Sequence, residues 1–209
     1  EGNELNARFF TFHNKKRPYI ILKWAQTSDG FIDAYYSMPI RISNDISKAC
    51  VHKLRAEEDA ILVGKNTALK DDPKLGCRRF QGNPPLRIAI DRNLEIPTYY
   101  NFYDNAQPTA IFNVHIEDGV RVKVDFDEDI IPQIIQWLYE KNIQSLIVEG
   151  GKYTLEKFIE SGIYDAIQVE IGDTPCHEGV PAPTFPTSGM SCQVEKFSDC
   201  TFLHYKKTR

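Results

Sequence analysis

The chain reads as one α/β domain built on a mixed, mainly parallel central sheet, with helices on both faces and a C-terminal antiparallel hairpin. Three observations predict this. The near-continuous apolar runs Pro18 to Ala25 (PYIILKWA) and Ser145 to Val148 (SLIV) are the mark of strands covered on both faces. Strand patterns alternate with amphipathic helical patterns along most of the chain, which is the order of βαβ units. The last two strand patterns, Cys192 to Phe197 and Thr201 to Lys206, pair across a short turn as an edge hairpin.

The elements follow in order. Residues 1–16, EGNELNARFFTFHNKK, are polar, with Leu5, Phe9, Phe10 and Phe12 giving a roughly helical face that could dock on a neighbouring domain. They read as an interdomain connector, with an expression remnant as the competing reading, and residues 17–209 as the domain proper. After the central strand at Pro18 to Ala25, Ser43 and Asn44 offer an N-cap for a helix running to about Arg55, with Ile46, Ala49, Cys50 and Leu54 on one face. Strands follow at Asp59 to Val63, Leu86 to Ile90, Thr109 to Val114 and Val120 to Val124. A polar loop carrying Asp71, Asp72 and Pro73 separates the first two. A helix spans Ile130 to Lys141 with Pro132 in its first turn, where its missing N–H is harmless. The strand Ser145 to Val148, a helix near Tyr153 to Ser161, Gly162 just past its end, and the strand Asp165 to Ile171 complete a βαβ unit. The proline-rich stretch from Gly172 to Gly189 is irregular.

Composition excludes several classes. At 209 residues, with 42% hydrophobic and 26% charged residues, the chain can bury a core without staples. Its five cysteines are odd in number and form no C-x-x-C, which predicts free thiols in a reducing compartment and hence a cytoplasmic protein. A net charge of −4 supplies no field for nucleic acid. No apolar stretch approaches the ~18 residues of a membrane span, and no signal-peptide pattern is present.

Two segments carry candidate chemistry. In the run from His52 to Arg78, a helix ends at Arg55, a buried strand stops at Gly64, and the following loop projects from the sheet edge, where open α/β folds place ligand sites. Arg55 and Arg78 together could clamp a phosphate, and Asp71 or Asp72 could accept from sugar hydroxyls. A capped loop with surface ion pairs explains the same residues equally well. In SLIVEGG, Ser145 to Gly151, a strand ending at Glu149 and Gly150-Gly151 leads into a helix start at Lys152, Tyr153 and Thr154. Backbone N–H groups and the helix dipole there suit an anion such as a nucleotide phosphate. No G-x-G-x-x-G opens the helix, and an ordinary tight connection is the more frequent explanation of a Gly-Gly turn.

Seven ordered motifs then point to a family: KWAQTSDGFI from Lys23, RIS from Arg41, LRAE from Leu54, N-T-x-L-x-D-D-P-x-L-x-x-R from Asn66 to Arg78, RIAID from Arg87, VEGG from Val148 and GVPAP from Gly179. Over about Arg17 to Arg209 they resemble the reductase domain of the bifunctional riboflavin-biosynthesis deaminase/reductase. The resemblance implies a dihydrofolate-reductase-like fold, NADPH as cofactor, a homodimer, and reduction of 5-amino-6-(5-phosphoribosylamino)uracil to the ribitylamino product. It also implies an N-terminal zinc deaminase domain of the same polypeptide, absent from this chain and joined through residues 1–16. By the same resemblance Arg55, Asp71, Leu75, Arg78 and Glu149 bind substrate. Ala25, Arg41, Thr67, Asp71, Arg92, Gly150, Gly151, Lys152, Tyr153, Thr154 and Leu155 bind cofactor.

Two departures stand out. Arg41 and Pro39 replace residues common in the family, with Arg41 an extra phosphate contact or a solvent-exposed side chain. Arg92 follows the RIAID aspartate and faces the 2′-phosphate of NADPH, or solvent. Lys23, Asp29 and Gly30 match motif positions, Asp29-Gly30 as a turn. No nucleophile is required, because the cofactor carries the chemistry, and no catalytic side chain is assigned. A zinc deaminase needs H-x-E and P-C-x-x-C. Neither is present, and Pro175-Cys176-His177-Glu178 is expected to pack a loop rather than bind metal. Two other readings remain: a reductase of a different pterin-like or nucleotide substrate, and a catalytically silent NADP-binding dimerisation module.

Overall fold

A computed structural model describes residues 6–35, 40 and 42–208. The contribution expected of Leu5 and the contacts expected of Pro39 and Arg41 lie outside the described residues. Five helices and eleven strands are described: α1 (Ala7–Lys15), β1 (Tyr19–Gln26), β2 (Phe31–Asp33), α2 (Asp45–Glu57), β3 (Ala60–Gly64), α3 (Lys65–Asp71), β4 (Leu86–Ile90), β5 (Thr109–Asn113), β6 (Arg121–Lys123), α4 (Ile130–Glu140), β7 (Ser145–Val148), α5 (Lys152–Ser161), β8 (Ala166–Gly172), β9 (Val180–Pro181), β10 (Met190–Phe197) and β11 (Cys200–Lys207). Nine strands form one sheet in the order β10-β11-β8-β1-β7-β3-β4-β5-β6. From β8 to β6 all neighbours run parallel, and β11 and β10 close the other edge antiparallel, as the terminal hairpin predicts.

Alternate residues of the central strands feed two cores. Ile20, Leu22, Leu62 and Val148 pack with Ile134 and Leu138 of α4 and Leu155 and Phe158 of α5. Ile61, Val63, Ala89, Ile111 and Ile147 point to the opposite face and meet Ala68 of α3, Leu75 and Phe102. This division is why the strands are apolar at every position rather than at every second one.

The structure departs from the sequence reading at four places. The polar segment after β3 is a seven-residue helix, α3, rather than a loop; only Ala68 of it is buried. A short antiparallel pair, β2 with β9, ties the region after β1 to the proline-rich loop. Helix α2 is rotated about its axis relative to the expected apolar face. Ile46 is exposed, and Ser47, Val51 and His52 are buried instead. Its inward face carries polar contacts instead, Arg55 to Glu149 and Ser47 to Cys200, beside Leu54 on the apolar core. In α1 the buried residues are Thr11 and Phe12, while Phe9 is half exposed.

Helix α1 packs onto the amino-terminal side of the sheet. Arg8 forms a salt bridge to Glu58, its Nε donating to Oε2 at 2.7 Å, and the rings of Phe12 and Tyr139 lie 4.8 Å apart. Just beyond it, Arg17 donates to both oxygens of Asp165 at 2.6 and 2.8 Å, and the Ile20 amide donates at 3.0 Å. Burial alone would raise the Asp165 carboxyl, but the Arg17 bond and charge hold it below the usual carboxylate range. A depressed carboxyl stabilises the fold above its unfolded pKa of about 3.9, and that contribution is lost as pH falls through the lower folded value. Asp165→Asn is therefore expected to melt below the wild type at pH 7, with the two melting curves converging below about pH 4. Melting temperatures across pH check this; a gap independent of pH would contradict it.

Candidate functional site

A cleft of about 1220 Å³ opens at the carboxyl ends of β1, β3, β4 and β7. Ala25, Thr67, Asp71, Arg92, Glu149, Gly150, Gly151, Lys152, Tyr153, Thr154 and Leu155, expected from the sequence, all line it. The turn from β7 into α5 forms one wall. Its position is set by backbone bonds to β3, with the Glu149 amide donating to the Leu62 carbonyl at 2.9 Å and the Gly64 amide to the Gly150 carbonyl at 2.8 Å. Gly150 sits at φ +104, a conformation that L side chains rarely adopt.

The first turn of α5 has no side-chain cap, so its backbone N–H groups are open to an anion at the positive end of the helix dipole. Gly151, the N-cap residue, keeps that approach clear; a Cβ there would lie 3.2 Å from Thr67 Oγ1. A Cβ on Gly64 would lie only 2.5 Å from Thr154 Oγ1. Gly64→Ala is thus expected to destabilise the domain by about 1–3 kcal/mol through overpacking. Adding Thr154→Ala should recover most of that loss, because the clash is with the hydroxyl. Denaturant titration of both variants checks it; equal loss in the double variant would refute the clash.

A charged cluster adjoins this turn. Arg55 Nη2 of α2 contacts Glu149 Oε2 at 2.6 Å, and its Nη1 reaches the Gly76 carbonyl at 3.4 Å. Lys23 Nζ, from the apolar strand β1, lies 3.8 Å from Glu149 Oε1. Burial alone would raise the Glu149 carboxyl, but the charges of Arg55 and Lys23 hold it below the usual range. Glu149 is therefore an anion whose Oε1 has no hydrogen-bond partner, and Arg55 Nε likewise has none. His52, one turn before Arg55, is held below its ordinary range by burial and by Arg55, Arg78 and Arg79. It is neutral at pH 7. Asp71, at the end of α3, is raised chiefly by burial and also by Asp33, against the opposing charge of Lys70. Lys70 itself spans the cleft mouth to Asp33 of β2, 2.6 Å from Oδ1.

The phosphate-clamp residues are not all together. Arg55 is engaged by Glu149 rather than free, and none of Arg55, Arg78 and Leu75 lines the cleft. Arg78 is exposed and makes no ion pair among the described residues. Leu75 is buried, with φ +53 turning its backbone. Arg92 lies with its guanidinium 5.7 Å from the Phe126 ring centre and 3.4 Å from Asp127, both contacts at the solvent edge. Asp29 does organise a turn: it accepts from the amides of Cys176 and His177 and from Thr27 Oγ1, and the Thr27 bond leads the causes that lower it to about 2. The Pro175 to Glu178 segment is thereby tied to the β1–β2 turn, as loop packing. Among the described residues no group of three His, Cys, Asp or Glu is placed to hold a metal ion, and no helix is long and apolar enough to cross a membrane. Lys23 and Glu170, charged residues inside otherwise apolar strand runs, were the available sequence signal for this buried cluster.

A parallel-stranded α/β domain whose cleft lies at the carboxyl ends of its strands, with an uncapped helix start beside a buried ion-pair cluster, has the layout common to nucleotide- and phosphate-binding scaffolds. The model of the RibD C-terminal domain matches residues 18–177, and the chain belongs to that family. The riboflavin biosynthesis protein RibD of Aquifex aeolicus is 36% identical over 192 residues, covering 86% of this chain and 53% of that protein. A 2,5-diamino-6-ribosylamino-4(3H)-pyrimidinone 5′-phosphate reductase of Archaeoglobus fulgidus is 30% identical over 176 residues, covering 75% of this chain and 80% of the relative. Among solved structures, a diaminohydroxyphosphoribosylaminopyrimidine deaminase/5-amino-6-(5-phosphoribosylamino)uracil reductase from Thermotoga maritima superposes with a TM-score of 0.87 at 25% identity, over 98% of this chain and 61% of that one. A dihydrofolate reductase from Enterococcus faecalis, 11% identical with a TM-score of 0.55 and covering 91% of this chain and 97% of its own, shares the fold. The chain spans about half the length of the curated RibD relatives it matches.

Proposed function

We propose that this domain reduces the ribosyl group of 5-amino-6-(5-phosphoribosylamino)uracil to the ribitylamino product, with NADPH as reductant. The observation that carries the reading is what meets in one cleft: the Gly150-Gly151 turn with the uncapped start of α5, and beside it Glu149 and Lys23, with Arg55 behind them on Glu149. The names of the Archaeoglobus and Thermotoga proteins, a pyrimidinone 5′-phosphate reductase and a uracil reductase, support it.

NADPH fits the residues present, since Gly151 and Thr67 leave a close approach to open backbone N–H groups. Bound there, it would supply hydride. The chain's own residues would align and exclude water. Glu149, ionised and with one oxygen unpartnered, accepts from a substrate hydroxyl or N–H. Asp71 contacts the hydroxyl-bearing end, and Arg78 with the Leu75 backbone approaches the phosphate. Holding the reacting carbon in register in this way is the protein's main contribution. NADPH oxidation on adding the deaminated substrate tests the reading, and its absence with folded protein would refute it.

The name of the Archaeoglobus relative specifies a diaminopyrimidinone, the compound before deamination, and favours a second reading in which this cleft takes that compound. Comparing kcat/KM on the two decides between them. We further propose a homodimer, for which the outer edge of β10 is available, working in the cytoplasm alongside a zinc deaminase domain of the same polypeptide. The free state of all five cysteines supports the compartment.

NADPH is expected to be preferred over NADH. Arg92 lines the cleft, and its Asp127 contact is exposed enough for a phosphate to displace. One charge-assisted contact of this kind is worth about 1.5–3 kcal/mol, so the preference should be about 10- to 150-fold in kcat/KM and should largely vanish in Arg92→Ala. Equal efficiency with both cofactors would count against it.

A further inference from the structure

Glu170 has no hydrogen bond to explain its place. It lies in β8 beside Ala25 of β1 and Phe202 of β11, is fully buried, and neither carboxylate oxygen has a hydrogen-bond partner. A buried carboxylate without hydrogen bonds is strongly unfavourable unless an opposite charge offsets it. That charge is Lys23, whose Nζ is 3.9 Å from Glu170 Oε2 and 3.8 Å from Glu149 Oε1. Both separations exceed a hydrogen bond. The ammonium is therefore held between two carboxylates by charge, at the cleft it lines.

The surrounding charges show what Glu170 adds. Arg55 already occupies the other oxygen of Glu149 at 2.6 Å, so without Glu170 two cations would share one carboxylate. With it, two cations face two anions. His52 and Cys50 of α2 and Cys200 of β11, described neighbours of this cluster, are neutral. The thiols of Cys50 and Cys200 are both pushed up, by burial first and then by nearby carboxylates including Glu170. Among the described residues Lys23 is the one cation paired with Glu170.

We propose that Glu170 is a positioning residue, whose buried carboxylate counterbalances Lys23 and fixes its ammonium at the point of the cleft where substrate is bound. This rests on the reductase reading above. Glu170→Gln should lower kcat about tenfold while the KM for NADPH stays within about twofold, because a misplaced polar group at the reacting end affects turnover more than cofactor binding. In a Lys23→Met background the same change should add no further loss.

A second readout needs no turnover. In ¹³Cε-lysine NMR spectra the Lys23 resonance of the wild type should stand apart from those of exposed lysines, and in Glu170→Gln it should move toward them. Glu170→Met, which fills the same space without a charge, carries the same comparisons if the glutamine variant folds poorly. The inference is overturned if kcat is unchanged, if the loss persists in the Lys23→Met background, if the Lys23 resonance does not move, or if neither variant folds. A wild type that turns over neither pyrimidine would defeat the reductase reading, and the resonance alone would then decide the placement of Lys23.

Discussion

Arg55→Ala is expected to lower kcat/KM for the phosphorylated substrate by about 30- to 800-fold, equivalent to about 2–4 kcal/mol for one partly buried charge-assisted contact. The structure divides this effect in a way the sequence does not suggest. Arg55 is bound to Glu149, so its removal leaves a buried carboxylate with only the distant Lys23 and should reduce kcat as well as raise KM. Arg78 is exposed and unpaired among the described residues, and it can act only on a group that arrives. Arg78→Ala should therefore raise KM with little change in kcat, since a phosphate remote from the reacting carbon is bound alike in ground and transition states. A dephosphorylated substrate separates the two. On it, Arg78→Ala should show no further loss, while Arg55→Ala should still be impaired through Glu149. If Arg78→Ala lost as much on the dephosphorylated compound as on the phosphorylated one, it would not be a phosphate ligand.

Elements whose identity depends on burial were the legible ones. Strands β1, β3, β4, β5, β7 and β8 are found within about one or two residues of their expected bounds, because burial on two faces demands unbroken apolar runs. Helix α3 was not legible. Its sequence, Lys-Asn-Thr-Ala-Leu-Lys-Asp, buries one residue and runs into Asp72-Pro73, which is turn chemistry. The pair β2 and β9, three residues and two, is too short for any periodicity. The rotation of α2 escaped the apolar pattern for a different reason. The face that turns inward carries Ser47, His52 and Arg55, and polar residues read as outward-facing unless their partners are known. Arg55 finds its partner in Glu149 after β7, and Ser47 lies against Cys200 of β11, both far along the chain. The Arg55–Glu149 contact joins residues 94 positions apart. The glycine turn was legible as a tight entry into a helix start, whereas the ion-pair cluster beside it emerges only when β1, β7 and β8 are laid side by side.

A second large effect is expected at the other end of the sheet. Arg87 enters β4 at its amino end and is buried to 1% exposure. Its guanidinium donates to Asp104 Oδ1 at 2.7 Å and Thr109 Oγ1 at 3.1 Å, and lies 5.7 Å from the Phe102 ring centre. The Arg87 bond is the leading cause that holds the Asp104 carboxyl below the usual range. Arg87→Ala removes this anchor and leaves a cavity beneath Phe102, which should destabilise the domain by about 3–5 kcal/mol. For a domain of this size that corresponds to about 6–20 °C in Tm. Arg87→Met should lose much less, because it refills the space and leaves only Asp104, which solvent can reach, without its partner. Asp104→Asn should be damaging in its turn, since it strands a fully buried cation. Arg87 does not line the cleft, so kcat/KM per folded molecule should be unchanged in all three. A fall in kcat/KM at full folding would show that the two ends of β4 are coupled, and equal stability of the alanine and methionine variants would mean that the cavity contributes nothing.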